Sequence, residues 1–168
     1  MMIKNLSLQK KIYQQLKKLR FEAVYPYFDQ EAKTVLDIGC EDAVLYRQLN
    51  STFHVTLADI DPQRDDIEKQ NVISLTYEDN VFDIVICQEV LEHTTDPVQA
   101  LKELKRVARR QLIITVPNEP IFSLFRGLVW ENEHLWAVTY DALKAHLGSA
   151  DVHKKIVLNR YTLAIWNF

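Results

Sequence analysis

Residues 34–43 read Thr-Val-Leu-Asp-Ile-Gly-Cys-Glu-Asp-Ala (TVLDIGCEDA), and this stretch decides the fold. The run 34–38 is short, mostly apolar and β-branched, which predicts a buried strand. Gly39 follows directly and permits a tight turn with a close backbone approach. A strand, a glycine turn and a helix are the usual seat of a nucleotide-type cofactor in an open α/β sheet. We therefore predict an α/β domain with a cofactor site at the end of its first strand.

The composition limits the classes of function. The 168 residues, 48% hydrophobic and 26% charged, suffice to bury one core, so we predict a single domain over residues 1–168. The formal charge of −3 does not favour a nucleic-acid partner, because phosphate binders usually carry a basic surface. The sequence has neither an apolar run long enough to span a bilayer nor a signal-peptide core at its start, which favours a cytoplasmic protein.

The two cysteines, Cys40 and Cys87, each lie at the end of a predicted strand and are not spaced as a metal-binding pair. We expect them to be reduced and to pack as small apolar side chains. On this basis we predict no metal site.

Predicted helices and strands alternate along the rest of the chain. Residues 1–30 are predicted to form an N-terminal helical segment, whose six basic residues within the first twenty we interpret as a solvated face, with contact to a membrane surface as the alternative. Further helices are predicted at 42–49, from 97 to about 110, and at 140–147. Further strands are predicted at 52–58, 72–75, 82–87, 112–116, 155–158 and 161–166. The pattern predicts a mostly parallel sheet that ends in an antiparallel hairpin.

Four further pieces of sequence accompany the opening stretch. They are VTLADID at 55–61, FDIVICQEVLEH at 82–93, LKELKRVARRQLIITVPN at 101–118 and HLWAVTYDALKAHL at 134–147. With VLDIGC at 35–40 they resemble, in order, the motifs of class I S-adenosylmethionine-dependent methyltransferases, most of all the small-molecule branch. The chain departs from the family pattern at Glu41 and Ala43, where glycines usually stand, and at 109–111, where glycines usually separate the helix from the strand.

The resemblance implies a Rossmann-like three-layer sandwich with a mostly parallel seven-stranded sheet, and S-adenosylmethionine as the cofactor. It places the donor site on Asp37, Gly39, Cys40, Glu41, Asp59, Ile60, Leu75 and Gln88. Asp59, twenty residues past Gly39, would accept hydrogen bonds from both ribose hydroxyls. Asp37 would order the glycine turn and help to hold the amino group of the donor. The family has no universal catalytic residue, and His93 and His134 are candidates for a base, with packing as the alternative reading of each.

Two alternatives are weighed, of which charge disfavours the first and the second stays open. A glycine turn followed by an acid about 20 residues later is also the fingerprint of dinucleotide binding, although Glu41 and Asp42 would repel a pyrophosphate. The function implied is methyl transfer from S-adenosylmethionine to a small-molecule acceptor. A catalytically degenerate protein that serves as a binding or regulatory subunit is the alternative, because the Glu41 side chain would occupy space that the family leaves to glycine.

The segment 119–147 is predicted to lie on the substrate side or to form a lid. Its part 119–136 is rich in large apolar residues, which are suited to a substrate pocket or to a surface for a partner protein or a second copy of the chain.

Overall fold

The computed structural model describes residues 2–41, 46, 48–118 and 134–168, and they contain a seven-stranded sheet. The strands are β1 (Thr34–Ile38), β2 (His54–Asp59), β3 (Glu68–Lys69), β4 (Phe82–Gln88), β5 (Ala108–Pro117), β6 (Val152–Ile156) and β7 (Tyr161–Asn167). Their order is β3-β2-β1-β4-β5-β7-β6. Strands β1 to β5 are parallel, and β7 is antiparallel to both β5 and β6. The predicted fold class, a mostly parallel sheet with a C-terminal antiparallel hairpin, is confirmed.

The helices among the described residues are α1 (Met2–Val24), α2 (Pro97–Val107) and α3 (Tyr140–Leu147), with 3-10 turns at Tyr25–Tyr27, Gln48–Ser51 and Leu91–His93. None of these three helices combines the length and the apolar character that crossing a bilayer requires. Helix α2 begins where the sequence predicts, because the Asp96 side chain accepts a hydrogen bond from the Gln99 amide at 2.9 Å and Pro97 fills the first helical position.

Side chains alternate between the two faces of the sheet and so build two apolar cores. In β1, Leu36 and Ile38 pack on the face that α2 and α3 cover, while Val35 packs on the opposite face with Val24 from the end of α1. All seven residues of β4 are buried, as expected for a central strand covered on both faces. The three-layer arrangement follows from this alternation.

The sheet reverses its strand order at β1. From β1 the chain proceeds outward through β2 and β3, and it then returns to the other side of β1 with β4. In open parallel sheets such a switch point leaves a crevice beyond the C-terminal ends of the strands, and ligands bind there. A ligand-binding site is therefore expected at the C-terminal ends of β1, β2 and β4.

The prediction of the third strand at 72–75 was wrong. The sheet-forming residues are Glu68 and Lys69, which pair with the end of β2 and are exposed. Residues Val72 and Leu75 are buried in the core beside a turn, in which the Ser74 amide donates to the Asn71 carbonyl at 2.9 Å. The run 72–75 is apolar because it packs against the core, whereas the true strand is short and charged because it forms an edge of the sheet.

The boundary between α2 and β5 also differs from the prediction. The helix ends at Val107, and the strand begins at Ala108 without an intervening loop. Arg109 and Arg110 fall within the helix predicted from 97 to about 110, but they belong to the strand. Arg109 Nε donates to Asp83 at 2.8 Å and Arg110 Nε to Asp29 at 2.6 Å. A direct passage from helix to strand leaves no loop that requires the glycines absent at 109–111.

The remaining boundaries shift by a few residues or lie outside the described residues. Strand β2 starts at His54 rather than at residue 52, and β6 covers 152–156 rather than 155–158. Within the helix predicted at 42–49, residues 42–45 and 47 are outside the described residues, and so is 119–133 of the predicted lid segment. Helix α3 has the predicted bounds of 140–147.

Candidate functional site

A cleft of about 270 Å³ opens at the C-terminal ends of β1 and β2. Its size is close to the lower end of the range for ligand pockets, about 300–1,000 Å³. It is lined by Ile38, Gly39, Asp59, Ile60, Gln70, Asn71, Val72, Ile73, Val90, His93, Thr94 and Thr95. The cleft thus lies at the switch point of the sheet, with a few polar groups set among apolar walls.

Gly39 forms the turn at the floor of this cleft. Its φ of +75° is left-handed, and a Cβ atom placed on it would lie 2.2 Å from Cγ2 of Val90. Both the backbone conformation and the approach of Val90 therefore require glycine at this position. The amides of Gly39 and Cys40 both donate to the Ala58 carbonyl, at 2.8 and 3.2 Å, and this fixes the turn to β2.

Asp59 ends β2 and faces the cleft. One carboxylate oxygen, Oδ2, accepts a hydrogen bond from the Glu41 amide at 3.0 Å, and the other, Oδ1, accepts one from the Asp61 amide at 3.0 Å. Each oxygen of an ionised carboxylate has a second acceptor position. Asp59 is thus held in a fixed orientation and keeps the capacity to accept from two hydroxyl groups in the cleft.

The turn after β1 does not form a phosphate cradle in its described part. A phosphate-binding loop presents several unused amides to the anion. Here the amides of Gly39, Cys40 and Glu41 all donate to Ala58 or Asp59. This arrangement argues against the dinucleotide alternative.

Asp37 lies within β1, beneath the turn, and is only 3% exposed. Burial raises the pKa of this carboxyl group to about 7, although the charges of Lys17 and Arg20 act in the opposite direction. Its Oδ2 atom has no hydrogen-bond partner among the described residues. On the neighbouring strand, Gln88 Nε2 is likewise buried and without a partner in the described part of the chain. A donor for Asp37 and an acceptor for Gln88 are what a ligand with an amino-acid end would supply.

Helix α1 covers the outer side of this region. The Tyr13 hydroxyl and the Lys17 ammonium group both donate to Glu41 Oε2, at 2.8 and 3.1 Å, and Arg20 Nε donates to Gln88 Oε1 at 2.9 Å. The side chains of Lys17 and Arg20 are only 14% and 9% exposed. The interpretation of the basic residues of this helix as a solvated face was wrong for these two, which lie against the ends of β1 and β4.

Two comparisons with known proteins agree with this geometry. Residues 36–114 match the family model of the methyltransferase domain. A chain from the Haloferax volcanii complex between the Trm112 methyltransferase activator and a methyltransferase has a TM-score of 0.74 at 14% identity, over 95% of this chain and 92% of that one. The magnesium protoporphyrin IX methyltransferase of Synechocystis, solved with bound SAH (S-adenosylhomocysteine), has a TM-score of 0.69 at 16% identity, over 92% and 83%.

The match to the methyltransferase domain spans 79 of the 168 residues, and the solved methyltransferases share the fold of this chain. Among curated proteins, an uncharacterised protein of Methanocaldococcus jannaschii is 33% identical over 55% of this chain and 47% of its own length. The tRNA U34 carboxymethyltransferase of Nautilia profundicola is 27% identical over 52% and 34%. The chain thus spans less than half the length of either relative.

A second cleft, of about 250 Å³, adjoins the first. Its walls include Tyr13 and Arg20 from α1, Glu89 and Glu92 from the region after β4, and His134. His93 lines both clefts. The two clefts therefore share a wall at His93.

Two residues near these clefts have left-handed backbones although they are not glycine. Glu41 has a φ of +53° and Glu89 a φ of +57°, directly after the ends of β1 and β4. Strained backbone of this kind costs about 1–3 kcal/mol per residue and is concentrated at functional sites. The conformation of Glu41 also explains why glycine is usual at its position in the family.

The predicted site residues fall into three groups in the structure. Gly39, Asp59 and Ile60 line the first cleft. Asp37, Cys40, Glu41 and Gln88 lie around it without lining it. Leu75 is 6% exposed in the apolar core and does not line the cleft, because the strand expected to end there is displaced to Glu68–Lys69.

Sequence reasoning missed several residues that line the two clefts. Residues 70–73 follow the true β3 and line the first cleft, but the sequence predicted 72 and 73 as part of a strand and gave 70 and 71 no role in the site. Arg20 was counted only as one of several basic residues on α1. Tyr13, Lys17 and Arg20 are spaced at i, i+4 and i+7, which places them on one face of the helix. This spacing could have indicated that the three side chains lie against the sheet together.

Proposed function

We propose that this protein is an S-adenosylmethionine-dependent methyltransferase that acts on a small-molecule acceptor. The observation that carries the proposal is the pairing of the Gly39 turn with the fixed Asp59 carboxylate at one cleft, directly beside the buried groups Asp37 and Gln88. An adenosyl amino acid offers ribose hydroxyls to the first carboxylate and an amino group to the buried one.

The residues of the first cleft suit the donor. Asp59 would accept the ribose hydroxyls, and the apolar side chains of Ile60, Val72 and Ile73 would pack against the base. Asp37 and Gln88 would hold the amino-acid end. Bound S-adenosylmethionine supplies an electrophilic methyl group on a cationic sulfonium. The task of the chain is then to hold the acceptor in line and to exclude water, because positioning accounts for much of the rate in such reactions.

The position of Glu41 supports an active enzyme over the degenerate alternative. Its carboxylate is directed to Tyr13 and Lys17 on α1, and the residue is not among those that line the first cleft. Its amide, rather than its side chain, serves the site by donating to Asp59. In this reading Glu41 takes the place of the usual glycine without filling the donor space.

A small acceptor suits the second cleft, whose volume of about 250 Å³ is small. The formal charge of −3 also offers a polynucleotide little general attraction. The relatives named for tRNA modification share only about half of this chain, so their substrate is the competing outcome to test. A partner protein remains part of the proposal for the segment 119–136, supported by the activator complex of the Haloferax volcanii protein.

The cytoplasm is the compartment we propose. The support for it is that Cys40 and Cys87 are both unbridged and buried, as expected of thiols in a reducing environment.

The proposal is tested with methyl-labelled S-adenosylmethionine, offered to the protein together with either a mixed small-molecule fraction or bulk tRNA. We expect label to enter the small-molecule fraction and to be lost with Asp59→Ala. Label in tRNA would refute the acceptor class, and no transfer to either fraction would refute the activity.

A further inference from the structure

Three side chains with metal-binding atoms meet in the wall of the second cleft. They are Glu92, His93 and His134, and a carboxylate oxygen and one nitrogen from each imidazole all lie within 4.8 Å of one another. The two imidazole rings are in edge contact, with their centroids 4.8 Å apart. Neither the spacing of the cysteines nor any local motif predicts this cluster, because His134 lies 41 residues after His93 in sequence.

Hydrogen bonds to backbone carbonyls hold these distant residues together. Glu92 and His93 are adjacent on the 3-10 turn Leu91–His93, directly after β4. The segment that carries His134 is joined to this turn by a hydrogen bond of 2.7 Å from the Leu135 amide to the Glu92 carbonyl. The Trp136 indole Nε1 adds a second, of 2.8 Å, to the Thr94 carbonyl. His134 is thus held against the turn by two contacts that do not involve its own side chain.

The burial of Glu92 indicates what such a cluster can hold. This residue is 1% exposed, so its carboxylate lies in a site shielded from water, where its attraction to a cation is strong. Imidazole is the usual partner of carboxylate at first-row transition metals. Metal bonds of about 2.0–2.2 Å allow two ligand atoms to lie as far as about 4 Å apart. The ligand atoms of the cluster lie within 4.8 Å of one another, and one of them belongs to the exposed side chain of His93.

We propose that Glu92, His93 and His134 bind one divalent transition-metal ion. Three protein ligands leave coordination positions open, as at catalytic metal sites, and these positions face the second cleft. An acceptor that carries two neighbouring oxygens, such as a vicinal diol or a hydroxy-carboxylate, is the chemical class that such an ion would hold beside the donor cleft. Metal binding stands independently of methyl transfer, whereas the role of the ion towards the acceptor rests on the proposed function.

The test is a titration of the metal-free full chain with Co²⁺, followed by visible absorption and by calorimetry, in the absence of S-adenosylmethionine. We expect one ion per chain with the absorption bands of nitrogen and oxygen ligation. His93→Ala and His134→Ala should each weaken binding about tenfold or more. His146→Ala, at an exposed histidine of α3, is the matched control and should bind as the wild type does.

Thermal unfolding with and without Co²⁺ provides a second readout. The ion should raise the unfolding temperature of the wild type and of His146→Ala, and it should raise that of His134→Ala less. The proposal would be overturned if the wild type bound no Co²⁺. It would also be overturned if His93→Ala and His134→Ala bound Co²⁺ as tightly as the wild type does. Because these titrations contain no donor, a failure of donor binding leaves their result unaffected, and the two proposals can fail separately.

Discussion

Gly39 has two separate reasons to be glycine, and they can be distinguished. A left-handed backbone costs other residues about 1–2 kcal/mol, and a Cβ atom would meet Val90 Cγ2 at 2.2 Å. We expect Gly39→Ala to lower the free energy of unfolding by about 2 kcal/mol or more, measured by urea denaturation. In the background of Val90→Ala the same change should cost less, because only the backbone strain remains. An equal cost in both backgrounds would show that Val90 does not restrict this position.

Asp37 should make the stability of the protein depend on pH. Its pKa in the folded chain is raised to about 7 by burial, while in the unfolded chain it is close to its ordinary value of about 3.9. Between these values the unfolded state releases a proton that the folded state keeps, so the free energy of unfolding falls as the pH rises from about 4 to about 7. The loss is on the order of 4 kcal/mol and levels off above that range.

Asp37→Asn removes this contribution. The free energy of unfolding of the variant, minus that of the wild type, should therefore increase as the pH is raised from 4 to 8. Both are measured by urea denaturation without ligand. Other titrating groups are common to both proteins and cancel in the difference. Parallel pH profiles would contradict the placement of Asp37 as a buried carboxyl group.

At the scale of the element, α1 packs across the ends of β1 and β4. It is attached through Tyr13 and Lys17 to Glu41, and through Arg20 to Gln88. Arg20 also lies over the ring of Tyr161 on β7, with 5.1 Å between its guanidinium carbon and the ring centroid. The helix therefore joins three strands of the sheet at the edge where the two clefts open.

Removing the charge of Glu41 should weaken the contact between α1 and the turn after β1. Because Glu41 is half exposed, we expect Glu41→Gln to weaken the attachment of α1 by only about 0.5–1 kcal/mol. The expected readout is faster amide hydrogen exchange within residues 11–24. Glu22→Gln is the matched control, since Glu22 pairs with exposed Lys18 on the same helix. Unchanged exchange in Glu41→Gln, or equal acceleration in the control, would contradict the role of Glu41 as the anchor.

At the scale of the whole molecule, the sequence predicted those parts of the fold whose patterns are local. Strands β1 and β4 are buried apolar runs next to polar turns, and the start of α2 is marked by Asp96 and Pro97. The third strand was misplaced because a two-residue charged edge strand has no apolar pattern, while the neighbouring run 72–75 is apolar for another reason.

The site was predictable only in so far as it depends on a single strand end. Gly39 and Asp59 follow from the motif and its spacing. The contacts of Lys17 and Arg20, and the meeting of His134 with Glu92, depend on how distant segments pack, and no local pattern encodes that. The contacts of the Glu41 carboxylate with Tyr13 and Lys17 likewise depend on a helix 24 to 28 residues away in sequence.

The central claim is that the cleft at the ends of β1 and β2 binds the adenosyl donor through Asp59, and calorimetric titration with S-adenosylhomocysteine tests it most directly. We expect saturable binding of one molecule per chain. Asp59→Ala should weaken it by about 1.5–3 kcal/mol, about tenfold to a hundredfold, because charge-assisted hydrogen bonds are lost. Asp61→Ala, at an exposed acid two residues away that does not line the cleft, should leave it unchanged. No heat of binding at millimolar ligand, or equal affinity in Asp59→Ala and the wild type, would contradict the claim.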